Sequence, residues 1–204
     1  MKKRAVFFVV VFMLMLVPCV SLGAGPKPYI SVQLGAVSMQ DSDWSDEYSK
    51  GTFEYNTGYA ASLAGGVKLG MFRIEGELGY QKSSLANGRL CYDGECMYGT
   101  YMDGDMSAYS LLGNFYFDFV KNSPVTPYIT AGIGMANIEL NDLGPDYDDT
   151  VLAYQVGAGF AFSFDPQIII DLKYRYFRTA EPEFDGTKCD FASSNIYLGL
   201  RYNF

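Results

Sequence analysis

Two carboxylates, Glu75 and Glu77, have a spacing that acid/base chemistry could use. A separation of two residues places both side chains on one face of a β-strand. A general acid or base must reach its substrate in an accessible pocket. Arg73 lies on the same face. A carboxylate pair that packs against an arginine in a protein interior forms ion pairs, and its role is then to stabilise the fold. The sequence therefore favours a structural role for the pair.

Two cysteines, Cys91 and Cys96, enclose a short segment whose Asp93-Gly94 pair is typical of a tight turn. In an oxidising compartment, this spacing predicts a local disulfide. Two thiols without a histidine or a further close cysteine make a poor metal site, so neither a metal nor a cofactor is predicted. Cys189 is then either a free thiol or the disulfide partner of Cys91 or Cys96.

Three polar segments are rich in carboxylates, whose oxygens could bind calcium or bridge to lipopolysaccharide through divalent cations. None has the ordered pattern of a calcium-binding loop, so the prediction is a solvated anionic surface. The residues are Asp41, Asp43, Asp46 and Glu47, then Asp142, Asp146, Asp148 and Asp149, and finally Glu181, Glu183, Asp185 and Asp190.

The N-terminus indicates export. Lys2-Lys3-Arg4 precede an apolar run over residues 5–17, and Ser21-Leu22-Gly23 resembles a small-x-small cleavage site. The run is too short to span a bilayer comfortably. We therefore predict a cleaved signal peptide over residues 1–24 and a single domain over residues 25–204.

The mature chain is acidic, because removal of the signal peptide leaves 12 basic residues against 23 acidic ones, a net charge of −11. Phosphate contacts require clustered lysine and arginine, so no nucleic-acid partner is predicted. The mean hydropathy is +0.03, and no apolar stretch of 18 residues follows residue 24. These values exclude a helical membrane protein but agree with strands of alternating polarity.

Eight segments alternate between apolar and polar or small residues, as β-strands do. They cover residues 29–39, 59–69, 72–81, 109–119, 128–138, 152–164, 168–176 and 195–204. In the fifth segment the alternation is lost beyond Asn137. Five positive and four negative side chains lie on the polar faces: Lys68, Arg73, Glu75, Glu77, Asp118, Asp171, Lys173, Arg175 and Arg201.

The connections between the segments also alternate in length. Short turns follow the second, fourth and sixth segments, whereas long polar connections cover residues 40–58, 82–107, 139–150 and 179–193. This pattern is typical of outer-membrane barrels, whose turns face the periplasm and whose loops face the outside. Alternation alone would also fit a lipocalin-like barrel with an apolar interior.

Side-chain size decides between the two barrels. An eight-stranded barrel has room for little more than its own side chains, and the apolar faces carry large residues such as Phe115, Phe160 and Phe162. Glycine, alanine and serine are on the polar faces, where a narrow lumen requires them. The predicted fold is therefore an all-β, eight-stranded antiparallel up-and-down transmembrane β-barrel with a polar interior.

Aromatic residues near the segment ends are predicted to form girdles at the two membrane interfaces. They are Tyr29, Tyr59, Phe72, Tyr80, Tyr109, Phe119, Tyr128, Phe164, Tyr176 and Tyr202.

The last segment carries the most specific motif of the chain. Tyr197, Gly199, Tyr202 and Phe204 match, position by position, the C-terminal assembly signal of bacterial outer-membrane barrels. The mature chain as a whole resembles the small eight-stranded barrel family that includes opacity-type adhesins and porin-like surface antigens. The resemblance implies a cell outer-membrane location in a Gram-negative envelope. It also implies contact with outer-membrane lipid, lipopolysaccharide and the barrel assembly machinery.

The chain contains no histidine. The enzymes known among outer-membrane barrels use a histidine as base or orienting group, so the resemblance does not extend to their chemistry. We expect a non-enzymatic, monomeric structural protein or surface antigen. Its lumen would be plugged by charged side chains, and its acidic extracellular loops would be available to a surface or host ligand. The alternative is a small porin-like channel for ions or small solutes.

Overall fold

In the residues that the computed structural model describes, the regular secondary structure consists of β-strands. The structure describes residues 26–39, 42–45, 49–55, 57–92, 95–99, 105–120, 123–141, 147–180, 183–184, 187–188 and 191–204. The predicted signal peptide, residues 1–24, lies outside this part of the chain. Within the described part, no helix has the length and apolar character needed to cross a membrane.

Eight long strands form the body of the protein. They are β1 Lys27–Met39, β2 Gly58–Leu69, β3 Phe72–Tyr92, β4 Asp105–Asp118, β5 Val125–Asn141, β6 Tyr147–Ser163, β7 Ile168–Thr179 and β8 Ala192–Asn203. Each strand pairs antiparallel with the next, and β8 pairs with β1, so the sheet closes on itself. The predicted eight-stranded up-and-down barrel is confirmed.

The strands are longer than predicted, most of all β3, which continues past Gln81 to Tyr92. The next strand begins at Asp105 rather than Tyr109, so much of the predicted loop over residues 82–107 is strand. The sequence signal fails there because residues 82–92 lack the alternating apolar face that marks a wall in contact with lipid.

The short connections lie at one end of the barrel. Between β2 and β3, Gly70 has a φ of 67°, a conformation that glycine adopts without a steric cost. The N–H of Asp118 donates to the carbonyl of Met71 at 2.8 Å and ties this turn to β4. The connections from β4 to β5 and from β6 to β7 are at the same end.

Further strands lie at the opposite end. Ser42–Ser45 pairs with Ser49–Tyr55, which pairs with the outer half of β3. Glu95–Gly99 pairs with the other side of β3. A short hairpin joins Glu183–Phe184 to Thr187–Lys188. The long connections therefore continue the β-structure beyond the barrel wall.

The outer surface of the barrel is apolar over most of its height. The exposed side chains include Ile30, Val32, Leu34, Leu63, Ile74, Phe115, Ile129, Ile133, Leu152, Val156, Phe160, Leu172, Leu198 and Leu200. Towards the outer end, Tyr80 lies between Tyr59 and Tyr109, with ring centroids 6.2 and 4.9 Å away. We call these three residues the tyrosine row. Phe72 and Phe117, 5.3 Å apart, lie near the opposite end.

The prediction that Tyr29 and Tyr128 belong to the aromatic girdles is wrong. Both side chains are buried inside the barrel, each with only 2% of its surface exposed. Tyr29 shares a face with Ser31, and Tyr128 shares one with Thr130. Position near a strand end does not fix the face of a residue, whereas the two-residue alternation does.

Beyond the tyrosine row, the polarity of the two faces reverses. The outward-facing positions there are polar, including Ser38, Lys82, Ser84, Asn137 and Glu139. We call this part of the barrel the extracellular section, and the part between the row and the short turns the membrane section. An outer wall in contact with water is polar, and an outer wall in contact with lipid is apolar.

An apolar cluster, the outer core, lies inside the outer part of the barrel and begins at Leu112, which is opposite Glu77 and below the tyrosine row. Its members are Val37, Met39, Ala60, Met106, Ala108, Leu112, Ala136, Ile138, Ala153, Phe177, Phe191 and Tyr197. Phe177 and Phe191 meet edge to face at 6.0 Å. The buried polar residues at the same end are Gln81, Ser83, Thr179, Ser193 and Asn195. The interior is thus charged in the membrane section, whereas towards the outer end it combines apolar residues with uncharged polar ones.

Candidate functional site in the charged lumen

The candidate site is the interior of the membrane section, where the predicted lumen charges lie. Eight of the nine are buried: Arg73, Glu75, Glu77, Asp118, Asp171, Lys173, Arg175 and Arg201. Lys68 is half-buried near the short-turn end, with 31% of its side chain exposed. Strand alternation brings these residues together, because all occupy the inward face of β2, β3, β4, β7 or β8.

One ion-pair group lies near the short-turn end. Asp118 accepts from Lys68 Nζ at 2.9 Å and from Arg73 Nε at 3.0 Å. The Arg73 guanidinium lies over the rings of Tyr116 and Tyr128, 4.2 and 4.7 Å from their centroids. The charge on Arg73 is thus compensated by a carboxylate and by two aromatic faces.

A second group is centred on Glu77. Its carboxylate accepts from Arg175 Nη1 at 2.6 Å and from Asn114 Nδ2 at 2.9 Å, and it lies 3.6 Å from Lys173 Nζ. Arg175 also donates to the Tyr197 hydroxyl. Glu77 is on β3 and Arg175 on β7, two strands on opposite sides of an eight-stranded barrel. This contact therefore crosses the lumen.

Glu75 is held differently, although it is only two residues away. Its carboxylate accepts from the hydroxyls of Tyr29 and Tyr116, each at 2.9 Å, and from Asn114 Nδ2 at 3.3 Å. Among the described residues, no lysine or arginine lies within salt-bridge distance of it. Asn114 bridges the two carboxylates, and Gln155 Nε2 in turn donates to Asn114 at 2.6 Å.

The third ion pair is looser. Arg201 Nε lies 3.5 Å from Asp171 Oδ2, and the guanidinium lies 5.5 Å from the centroid of the Tyr29 ring. Arg73 places both Nε and Nη2 within 3.0 Å of a single oxygen of Asp118, whereas Arg175 and Arg201 each approach a carboxylate with one nitrogen. The charges are distributed over carboxylates, amides and tyrosines.

Close approach to glycine makes room for the interior tyrosines. Tyr128 lies directly opposite Gly159, and a Cβ at that glycine would be 2.6 Å from the tyrosine hydroxyl. Tyr29 lies opposite Gly66 in the same way, with 2.8 Å between the hydroxyl and such a Cβ. Sequence reasoning missed these pairs. The signal available was a tyrosine in register with a glycine of the neighbouring strand.

The arrangement provides no free acid/base pair. Glu75 and Glu77 are at most 3% exposed and are surrounded by donors. Within the described part of the chain, no group of three or more histidine, cysteine, aspartate and glutamate residues is arranged to hold a metal ion. The chemistry that these contacts support is mutual charge compensation across a narrow interior.

The predicted disulfide and the predicted acidic segments lie only partly within the described residues. Cys91 and Cys96 are directly paired in the backbone register of β3 and Glu95–Gly99, and their disulfide stays a prediction. Cys189 lies outside the described residues, as do Asp41, Asp46, Glu47, Asp142, Asp146, Glu181, Asp185 and Asp190.

The residues of the C-terminal motif divide between the two faces of β8. Tyr197 is buried beside Gly35, and Gly199 is also on the inward face. Tyr202 and Phe204 are exposed on the outside, with their rings 5.3 Å apart. The role of these residues as an assembly signal stays a prediction.

A known protein family matches the chain along most of its length. Residues 7–204 match the family described as "Outer membrane protein beta-barrel domain". The outer membrane protein PagN of Salmonella typhimurium is 28% identical over 113 residues, which cover 45% of this chain and 47% of PagN. The chain thus spans about half the length of the curated relative that it matches.

Solved structures share the fold. Neisserial surface protein A superposes with a TM-score of 0.57 at 19% identity, covering 86% of this chain and 97% of that one. OprG from Pseudomonas aeruginosa superposes with a TM-score of 0.54 at 12% identity, covering 88% of this chain and 96% of OprG. Both are similar to this chain in architecture.

Proposed function

The chain belongs to the outer membrane protein beta-barrel domain family, and we propose that it is a non-enzymatic structural protein or surface antigen with a closed lumen. Its location is the bacterial outer membrane, where lipid surrounds the apolar wall of the membrane section. The proposal has three parts: a closed lumen, the lack of an enzymatic reaction, and a surface role for the outer end.

The observation that carries the closed lumen is the contact between Glu77 and Arg175, which joins opposite walls of the barrel. Asn114, Gln155 and Lys173 extend the contact towards other strands. A solute moving along the axis would have to separate these groups and leave buried charges without partners, which is energetically costly. This supports a plug rather than an open pore.

The non-enzymatic assignment rests on the state of the carboxylates and on the composition of the chain. Glu75 and Glu77 are engaged by donors and are at most 3% exposed. The chain has no histidine for proton transfer at neutral pH. Both observations favour structural use of the interior charges.

The surface role rests on the outer end of the molecule. Strand β3 extends well beyond the tyrosine row together with its partners Ser49–Tyr55 and Glu95–Gly99, and Ser42–Ser45 pairs with the first of these. Such extensions support a role in which the acidic segments contact an external surface, a host ligand or cation-bridged lipopolysaccharide. Insertion through the barrel assembly machinery by way of β8, and a monomeric state, complete the proposal.

The mature protein in a planar lipid bilayer tests the closed lumen against the channel alternative. We expect current close to that of the bare bilayer at all moderate voltages. Folding of the same sample is checked by its heat-modifiable migration on gels, because a closed barrel has no edge strand from which to unfold. Large, steady single-channel currents from the unmutated protein would reject the plug and promote the channel.

The surface role needs a separate measurement. Antibodies raised against the peptide of residues 82–107 should label intact cells that express the protein, and protease should remove that epitope from the cell surface. Labelling that appears only after the outer membrane is broken would place this segment on the periplasmic side and reject the surface role.

A further inference from the structure

A groove crosses the lipid-facing wall of the barrel from β5 to β8. Its volume is about 470 Å³. The outward-facing residues that line it include Phe119, Ile129, Ala158, Phe160, Tyr174 and Ile196. Lys173 also borders the groove, but its side chain is inside the barrel and only 1% exposed. The groove therefore offers an apolar surface to a ligand.

The groove exists because one outward position in this wall is small. Ala158 lies directly between Ile129 and Tyr174 in the register of β5, β6 and β7. The next outward residue of β6 towards the short turns is Phe160, whose side chain is 50% exposed. A methyl group between an isoleucine and two aromatic rings leaves a recess in the wall. A slender apolar chain would fill that recess.

The row of residues through the groove rises away from the short turns. Counted from the short-turn end of its strand, Ile129 is four residues along β5 and Ala158 is five residues along β6. Tyr174 is six residues along β7, and Ile196 is seven residues along β8. The lower end of the groove is at Phe119, which directly follows β4. The groove thus starts at the short-turn end and climbs diagonally into the membrane section.

One acyl chain of a lipid matches the groove in chemistry, length and position. Three strand spacings of about 4.8 Å separate β5 from β8, so the row is roughly 14 Å long. Half of the hydrocarbon core of a bilayer is about 15 Å thick, which is the depth that the chains of one leaflet occupy. The short turns of outer-membrane barrels face the periplasm. A chain that enters the groove at Phe119 therefore comes from the periplasmic leaflet.

We infer that the groove is a binding site for one acyl chain of a phospholipid in the periplasmic leaflet. The hydrophobic effect does not favour this binding, because lipid tails are as apolar as the protein wall. Closer packing favours it, since a chain in the recess touches protein on both sides as well as below. On the order of ten additional carbon–carbon contacts give a preference of roughly tenfold over the remaining wall. The inference goes beyond the proposed function and does not depend on a closed lumen.

Photo-cross-linking in isolated outer membranes tests the inference. Cells that express the full chain are grown with a fatty acid that carries a diazirine near its methyl end and becomes part of the membrane lipids. Peptide mass spectrometry then locates each adduct, and the adduct mass distinguishes a phospholipid from lipid A. Ala158→Phe fills the recess. Gly65→Phe is the matched control, because it adds the same ring to the outer wall where a Cβ meets nothing within 4 Å.

In the native protein, we expect phospholipid adducts at Tyr174 and Ile196 roughly tenfold more often than at Leu63 on the opposite wall. Ala158→Phe should reduce them to the level of Leu63, and Gly65→Phe should leave them unchanged. Ala158→Leu takes the place of Ala158→Phe if the latter does not reach the outer membrane in heat-modifiable form. An even distribution of adducts around the native barrel would overturn the inference. Adducts of lipid A in the groove, or an unchanged pattern in the Ala158 variant, would overturn it as well.

Discussion

The membrane section and the extracellular section are built from the same strands with opposite polarity. Below the tyrosine row, β5 places Ile133 and Met135 outside and Thr130 inside. Above it, the same strand places Asn137 and Glu139 outside and Ile138 inside. The backbone register continues without interruption across this boundary. The change is therefore one of sequence and surroundings, not of fold.

The comparison shows how each section is stabilised. Lipid outside the membrane section requires an apolar exterior, so the interior can be polar provided that its charges are compensated. Water outside the extracellular section restores the usual arrangement, in which apolar side chains are buried and the hydrophobic effect stabilises the fold. A single closed sheet thus combines a charged interior and an apolar interior along one axis.

Removing the carboxylate of Glu77 should produce the largest effect on stability. Glu77→Ala would leave Lys173 and Arg175 buried without their shared carboxylate, at a cost of about 3–5 kcal/mol. Urea unfolding of the protein in lipid vesicles measures the change. Leu78→Ala, on the lipid-facing side of the same strand, is the control and should cost much less. Equal losses for the two variants would show that the charged interior does not stabilise the membrane section.

Adding a methyl group at an interior glycine should have the next largest effect. Gly159→Ala would force the new Cβ against the Tyr128 hydroxyl and the Leu172 carbonyl, an overpacking that typically costs about 1–3 kcal/mol. Gly65→Ala is the matched control, because a Cβ at Gly65 meets nothing within 4 Å. The same unfolding assay should show a loss for the first variant only. A comparable loss at Gly65 would contradict the packing that the structure shows around Tyr128.

Neutralising the two carboxylates should separate their roles. Glu75 receives hydrogen bonds from neutral groups, so Glu75→Gln changes one hydrogen-bond pattern at a cost of about 1 kcal/mol. Glu77→Gln leaves two cations uncompensated and should cost more. Urea unfolding of both variants in lipid vesicles shows which of them loses more stability. A larger loss for Glu75→Gln would mean that an unrecognised cation depends on Glu75.

The smallest effect is expected at the surface of the extracellular section. Lys82 Nζ lies 2.7 Å from Asp105, and hydrogen bonds from Lys82 and Ser84 hold the pKa of Asp105 below its ordinary value. The stabilisation is therefore present near neutral pH and is lost as the pH falls below about 4, through the lowered pKa. Asp105→Asn should remove this part of the pH dependence and change stability only slightly, because the pair is exposed. Thermal unfolding of the native protein and of Asp105→Asn at pH 3 and pH 7 measures this difference in pH dependence. The same change in stability with pH in both proteins would contradict a stabilising role of the Lys82–Asp105 pair.

Much of the fold was predictable because alternation reports directly on the faces of a strand. The eight strands, the closed antiparallel order and the inward face of residues such as Arg73, Glu77 and Arg175 follow from a period of two and from residue size. The contact partners of these interior side chains could not be predicted, because alternation gives the face on which a residue lies but not its height within the barrel. The contact of Glu77 with β7 and the neutral donors around Glu75 are therefore structural findings.

The reversal of polarity explains the main error in the predicted strand lengths. On β5 the sequence pattern predicts an end of the alternation beyond Asn137, but the strand continues to Asn141. What changes there is the identity of the apolar face, because Ile138 is inside whereas Met135 is outside. A pattern search that assumes one apolar face per strand ends each strand at the membrane boundary. This also accounts for the shortened prediction of β3.

Spin-label accessibility along β5 tests the reversal of polarity most directly. Single labels at positions 133, 135, 137 and 139, in a chain whose native cysteines are replaced by serine, would be measured in lipid vesicles. We expect labels at 133 and 135 to collide mainly with dissolved oxygen, which concentrates in lipid, and labels at 137 and 139 mainly with a water-soluble nickel complex. Oxygen-dominated collisions at all four positions would place the membrane boundary beyond residue 139. That result would contradict the division of the barrel into a membrane section and an extracellular section.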